Sequence, residues 1–284
     1  MMTPKRMLFR LAVRGLEKIH DLHGEKSCIQ FNLPLEAKKE ADNVDLITIA
    51  FNNPIVIENQ INCVRKHIEG NYTYIVADNS SNLEESKKIM EICKNEGIPY
   101  IRIPKNHLNL IGPSYSHAAA LNWTYKHVVK NRKPTYFGFI DHDLFPVKNI
   151  DVKSLLKDQP VYGVKRERGE KKDKWYLSAI MFFFNFSYLQ GKKVDFMPVQ
   201  VDGDYLDSGG GNWYDIYSRI NRDNIKFATE YLEDFREGGL RHQDQVEIFD
   251  RTWLHTINGS YWKKVESKDN LIEELIKQYE EKLG

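Results

Sequence analysis

The chain has 284 residues, 41% of them hydrophobic, and its 41 basic and 40 acidic side chains leave a formal net charge of +1. That length can bury a substantial core as one large domain or two small ones. A charge so close to neutral gives no global field to gather nucleic acid, so no nucleic-acid partner is expected.

Cys28, Cys63 and Cys93 are odd in number and lack C-x-x-C spacing. A disulfide framework and a zinc site are therefore both disfavoured, and a reducing cytoplasm fits. Near the N-terminus, Arg10 and Arg14 interrupt the apolar run between Met7 and Leu16. Neither a signal-peptide core nor the stretch of about 20 apolar residues that a membrane helix needs is left, so the mature chain is expected to start here. Residues 5–20 can still form a basic amphipathic helix, with Lys5, Arg6, Arg10, Arg14 and Lys18 available to meet anionic lipid, or the same helix docks on its own domain. Residues 24–44, with Gly24 and Pro34, read as a connector.

From Val44 the pattern is regular. Residues 44–51 read as a buried strand, Asn53 and Pro54 as the cap and first position of a helix, and Gly70 as its stop. A second strand covers 72–77, and a second helix follows with Ser81 and Glu84 spaced as a capping box and Gly97 as its end. A third strand at 100–103 leads to a helix over 114–130 and then to a strand ending at Asp141. This alternation predicts a mostly parallel sheet with helices on both faces, ligands binding beyond the carboxyl ends of the strands. Asn52-Asn53, Asp78-Asn79, Lys105-Asn106 and Asp141-His142-Asp143 all lie at those ends.

The last of these organises the rest. Residues 136–140 are apolar, and two carboxylates spaced i, i+2 follow before Pro146 limits ladder pairing. Both acids can leave the strand end on one side. Their hard oxygens suit Mg²⁺ or Mn²⁺, which keeps places for phosphate oxygens, so Asp141 and Asp143 are candidate metal ligands; a solvated turn is the plainer reading. Neither G-x-G-x-x-G after the first strand nor a P-loop is present, so phosphate must be held another way.

The motifs at 49–53, 76–81, 112–122 and 141–143, in this order and spacing, resemble the nucleotide-binding half of GT-A glycosyltransferases, most like family 2. The resemblance covers about residues 44–148. It departs from the family at Ala50-Phe51-Asn52-Asn53, where a proline-containing turn is more usual, and His is an unusual middle residue of the D-x-D. It implies that the first strand's end and Asp78 contact the base of a nucleotide-sugar, with a donor-binding set of Ala50, Phe51, Asn52, Asp78, Asn79, His117, Asn122, Asp141, His142 and Lys263. Asp141 and Asp143 would hold the ribose and the metal-bound diphosphate. The segment around His255, Trp262 and Lys263 resembles the C-terminal part of several GT-A enzymes, which implies His255 as a third metal ligand and Lys263 near the diphosphate.

Strands are expected at 160–164 and 175–184, joined by a solvated loop over the charged run 165–174. At 202–214, Gly209 and Gly210 allow close backbone approach to an acceptor and Trp213 offers a face for sugar stacking; a tight turn opening a helix over 212–220 is the alternative. Asp207 is the candidate general base toward the acceptor hydroxyl, with Asp244 in reserve. An amphipathic helix over 267–283 closes the chain.

The fold expected is thus a GT-A, Rossmann-like α/β sheet with helical extensions: 1–43 an N-terminal extension, 44–148 the nucleotide-sugar half, 149–266 the acceptor half and 267–284 a final helix. The expected activity is metal-dependent transfer of a sugar, from a UDP-sugar first and a GDP-sugar second, to a hydroxyl of a glycan or other acceptor. The rivals are a non-catalytic carbohydrate- or nucleotide-binding protein on the same scaffold and, further off, a sugar-nucleotide pyrophosphorylase.

Overall fold

The computed structural model describes residues 4–23, 29–34, 43–235, 244–256 and 268–284. Helix α1 (Pro4–His23) is followed by a short strand β1 (Ile29–Phe31) inside the expected connector. Then come β2 (Val44–Ala50), α2 (Pro54–His67), β3 (Tyr72–Asp78), α3 (Leu83–Asn95), β4 (Tyr100–Arg102) and α4 (Pro113–Thr124). α4 runs through a π turn, Tyr125–Val129, into the short helix α5 (Lys130–Arg132), and Lys133 ends it in the left-handed region at φ 52°.

Local chemistry explains the boundaries. The Asn53 side chain caps α2 by accepting from the Val56 amide, and Pro54 occupies the first turn, where its missing N–H costs nothing. α3 is capped one residue later than its sequence suggests. Asn82, not Ser81, accepts from the Glu84 and Glu85 amides, because Ser81 is engaged by the Asn52 side chain.

The chain continues through β5 (Tyr136–Asp141), β6 (Leu144–Pro146), β7 (Val161–Arg168), β8 (Lys174–Asn185) and α6 (Phe186–Leu189). β9 (Val199–Val201) and β10 (Asp204–Leu206) form a hairpin, and β11 (Glu230–Asp234), β12 (Gln245–Phe249), β13 (Trp253–His255) and α7 (Lys268–Leu283) follow.

A seven-stranded sheet has the order β1-β4-β3-β2-β5-β8-β7, and a four-stranded sheet the order β11-β12-β13-β6. β4, β3, β2 and β5 are mutually parallel, whereas β1, β8 and β7 join antiparallel. The sheet is therefore mixed and mostly parallel at its centre, as expected, and β7 and β8 from the segment after residue 149 complete it. Pro146 does not end pairing: it faces Trp253 as the last residue of β6, an edge strand, where a missing donor is tolerated.

The apolar strand runs bury both faces of the sheet. Ile47, Ile49, Ile75, Phe137 and Phe139 pack into one cluster, and their pleat neighbours Leu46, Tyr74, Val76 and Ile140 into another under α2 and α3. Gly138 opposes Phe183 across β5 and β8, and a Cβ there would meet that ring at 1.9 Å.

Two expectations fail for a shared reason. The charged run extends β7 and β8 instead of looping out, because Arg166 pairs with Glu230 and Glu247, Lys165 lies over the Phe227 ring, and Lys174 Nζ reaches Asp204 at 3.0 Å. The expected helix at 212–220 is replaced by 3₁₀ turns at Gly210–Asn212 and Tyr217–Arg219. There the adjacent Ile216 and Tyr217 are both fully buried, and the buried Asn212 side chain accepts from the Asp195 amide, demands that a regular helix on this surface does not meet. α7 forms as expected and lays Ile272, Leu275, Ile276 and Tyr279 against Val56, Phe145 and Ile248. Cys63 and Cys93 are free and buried. No helix among the described residues is long and apolar enough to cross a membrane.

At the amino end of β2, Asp45 is fully buried and bidentate with Arg132, at 2.7 Å to Nε and 2.9 Å to the terminal nitrogen. Removing one partner of such a pair strands a charge in the interior. Asp45→Ala should cost about 3–5 kcal/mol in denaturant unfolding. A loss below about 1 kcal/mol, the range of exposed pairs, would show that the buried pair is not needed.

Candidate active site

β5 leaves the large sheet at Asp141, turns through His142 and Asp143, and enters the four-stranded sheet at Leu144. Both aspartates converge through this turn and not through strand pleat alone. Asp141, His142 and Asp143 can each bring a ligand atom within 4.8 Å of the others, the one group of its kind among the described residues. His142 donates its amide to Asp141 Oδ1 at 2.9 Å. The turn is held from below by Gln60 of α2, whose amide donates to the Asp141 carbonyl at 2.8 Å and the Leu144 carbonyl at 2.7 Å. Tyr74 donates to the Gln60 oxygen at 2.7 Å.

His142 and Asp143 are buried, and the His142 Nδ1 has no hydrogen-bond partner. A buried polar atom left alone costs about 1–3 kcal/mol, so the position suits a group that a ligand completes. Two carboxylates with an imidazole at hand form a donor set that fits Mn²⁺ or Mg²⁺.

His255 of β13 joins this group. Its Nε2 lies 3.3 Å from Asp143 Oδ1 and its Nδ1 2.7 Å from Glu247 Oε2 on the neighbouring strand, where the two residues are directly paired. Burial opposes a charged imidazole, but Asp143 and Glu247 outweigh it and His255 is pushed up to about 10. Glu247 is itself held below the usual carboxylate range: burial would raise it, and His255 and then Arg166 prevail. The Thr256 amide donates to the Asp143 carbonyl at 3.1 Å, fixing the same turn from the β13 side.

His117, part-buried on α4, feels Asp141, Asp143 and Asp207, yet burial dominates and holds its imidazole below the ordinary value. Ser208 ties the Asp207 segment to the start of α4 by donating to the Ser114 carbonyl at 2.9 Å.

Other predicted site residues are placed differently. Asp78 is completely buried and its carboxylate is spent within the fold, accepting from the Ser80 amide, Ser86 and Tyr100, with Arg102 at 3.3 Å. It anchors the end of β3. Asn79 is bonded to Ser116 and Asn106, and Asn52, at φ 53°, clasps the β3–α3 turn through Ser80, Ser81 and Asn82. Ala50 is buried, whereas Phe51 is half-buried and joins no hydrophobic cluster.

Asn122 points away from the aspartates. Its amide nitrogen donates to Glu17 and Asp195 and its oxygen accepts from the Phe196 amide, which pins α1 to the loop before β9. Gly209 and Gly210 are demanded by the chain's own packing: a Cβ on Gly209, at φ 97°, would meet the Leu177 carbonyl oxygen at 2.3 Å, and one on Gly210 the Leu206 Cβ at 2.4 Å. Trp213 packs part-buried on the main core cluster. Asp244 sits at the foot of β12, its carbonyl accepting from the Phe235 amide. Lys263 lies outside the described residues. Gln60 and Glu247 escaped the sequence reading, since a mid-helix Gln and a strand Glu carry no motif.

The sheet order with parallel β4-β3-β2-β5, the antiparallel β8 beside β5, and an Asp-x-Asp turn at the carboxyl end of β5 are those of a GT-A-type α/β fold. No protein-family model and no curated protein sequence matches the chain. Among solved structures it is similar to the apo WbbM bifunctional glycosyltransferase, at 16% identity and TM-score 0.36 over 55% of this chain and 34% of that one. It is also similar to the mannosyltransferase PcManGT of Pyrobaculum calidifontis, solved with GDP-Man and Mn²⁺, at 11% identity and TM-score 0.39 over 66% of this chain and 58% of that one. The mannosyltransferase Ktr4p of S. cerevisiae matches at 9% identity and TM-score 0.36 over 64% of this chain and 67% of that one. The chain thus spans about a third of WbbM and somewhat over half of PcManGT.

A carboxylate on the far nitrogen of a ligating imidazole orients it and raises its basicity. Glu247→Gln is therefore expected to lower Mn²⁺ affinity about 10- to 100-fold by titration calorimetry, and unchanged affinity would place His255 outside the coordination shell.

Proposed function

We propose that the protein is a metal-dependent glycosyltransferase that moves a sugar from a nucleoside-diphosphate sugar, a UDP-sugar first and a GDP-sugar second, to an acceptor hydroxyl. The observation that carries this reading is the convergence of Asp141, His142 and Asp143 on one point at the carboxyl edge of the sheet, with a buried imidazole nitrogen left unpartnered there.

Asp141, Asp143 and His255 hold the cation, and His142 lies in the same turn. Bound Mn²⁺ or Mg²⁺ supplies Lewis-acid neutralisation of the diphosphate as it leaves. His255 gives up its proton on metal uptake, since only the neutral imidazole has a lone pair to offer. Phe51, half-buried at the end of β2, offers its ring to the nucleobase, with Asp78 at the neighbouring strand end. His117, which burial favours in its neutral form, feels the charges of Asp141, Asp143 and Asp207 and can donate to a phosphate or sugar oxygen. If the reaction inverts, Asp207 removes the acceptor proton as general base. Lys263 near the diphosphate remains part of the proposal.

UDP or GDP is expected to raise the melting temperature only when Mn²⁺ or Mg²⁺ is present, by roughly 2–4 °C per kcal/mol of linked binding for a chain of this size. Asp143→Ala should abolish that shift. If no nucleoside diphosphate stabilises the protein with any divalent metal, the transferase reading fails and a carbohydrate-binding role takes its place.

With a donor in hand, Asp207→Asn should leave the nucleotide shift unchanged and lower kcat by about 10²- to 10⁴-fold. An undiminished kcat would remove Asp207 from the chemistry.

A further inference from the structure

α1 is seated on the domain by one face. Val13 packs with Leu108, Ala118 and Met197, and the buried His20 shares a 3.1 Å hydrogen bond with the Pro104 carbonyl. Its ionic contacts fix its rotation: Arg14 pairs with Asp195 and Glu17, and Asp21 with Lys126 and His127. Among the described residues the opposite face has no cover. Leu8, Leu11, Ile19 and Leu22 are 68%, 59%, 46% and 79% exposed, and the helical period gathers them within an arc of about 80°. Four large aliphatic side chains in one outward row exceed the scatter of apolar residues that an ordinary surface helix shows.

Beside this row, past Lys18, lies a cavity of about 800 Å³ between α1, α4 and the loop after α6. Its lining carries seven cationic side chains against three carboxylates. All three carboxylates, Glu17, Asp21 and Asp195, are already paired. Lys18, Lys130, Lys133 and Lys193 have no ionic partner among the described residues. The excess is local, because the whole chain carries only +1. The same lining includes Trp123, buried with its indole N–H unpartnered, a donor that only an acceptor oxygen can satisfy.

We propose that the outward row of α1 and the adjoining lysine rim form a docking face for an anionic phospholipid bilayer. The leucines and Ile19 enter the boundary between headgroups and acyl chains, and the lysines meet headgroup phosphates. A second copy of the chain fits less well, since pairing two such rows sets one unpaired lysine rim against another. A soluble phosphate compound would leave the apolar row exposed to water. The inference does not rest on the transferase reading.

The test is vesicle flotation of the full chain with phosphatidylcholine alone and with added phosphatidylglycerol, at low and high salt. Binding is expected only with the anionic lipid and should weaken as salt rises. Lys130→Gln/Lys133→Gln should weaken it roughly 25-fold, from about fivefold per basic residue at such a surface. Leu8→Gln/Leu22→Gln should abolish it without lowering the melting temperature, as both side chains are exposed. Asp143→Ala should bind vesicles as the parent does, which separates this face from the aspartate site.

Equal binding to neutral vesicles, or retention of binding in both double variants, would overturn the proposal. So would a dimer in light scattering that Leu8→Gln/Leu22→Gln dissolves, which would assign the row to a second copy. Stabilisation by glycerol phosphate without vesicle binding would likewise reassign the cavity to a soluble anion.

Discussion

Gln60 belongs to α2, yet its side chain decides how β5 ends. Its amide holds the carbonyls of Asp141 and Leu144 while Tyr74 of β3 satisfies its oxygen, so one buried group links a helix, two sheets and the turn between them. Those carbonyls would otherwise lie unpaired where the chain crosses from the seven-stranded to the four-stranded sheet. The crossing is only two residues long, and those residues, His142 and Asp143, belong with Asp141 to the group that could hold a metal ion. A turn so short brings acidic groups together because the backbone on either side is fixed by ladder pairing.

Closely placed carboxylates repel, and the surroundings answer this by alternating charge. Arg166 faces Glu247, Glu247 faces His255, and His255 faces Asp143, so the negative turn is balanced by a protonated imidazole that a divalent cation can replace. This chain of contacts also explains why the charged segment of β7 forms strand: its arginine is needed at the back of the site. Asp78 shows the opposite use of the same residue type. Placed at a neighbouring strand end, it is enclosed by Ser86, Tyr100 and Arg102 and serves the fold.

The molecule separates its functions by face. The carboxyl edge of the sheet gathers acids and imidazoles, while the surface formed by α1, α4 and the segment after α6 gathers unpaired lysines beside exposed leucines. A net charge near zero over the whole chain does not reveal either. Asn122 lies on the border, bonding Glu17, Asp195 and the Phe196 amide, and it holds α1 in the position that exposes the apolar row.

Period and punctuation in the sequence determined the alternation of strands and helices from Val44 to Asp141, the proline-led start of α2 and the carboxylate pair after β5, because these depend on neighbours within one turn or one pleat. The exact cap of α3, the strand character of residues 165–168 and the loss of the expected helix after Gly211 were decided by partners far away in the chain: Asn52, Glu230 with Glu247, and the buried surroundings of Asn212 and Tyr217. How deeply each acid is buried was likewise left to tertiary structure. Asp78 and Asp141 end parallel strands with similar signatures, and only the enclosing side chains, absent from any local pattern, bury the first completely and leave the second part-exposed.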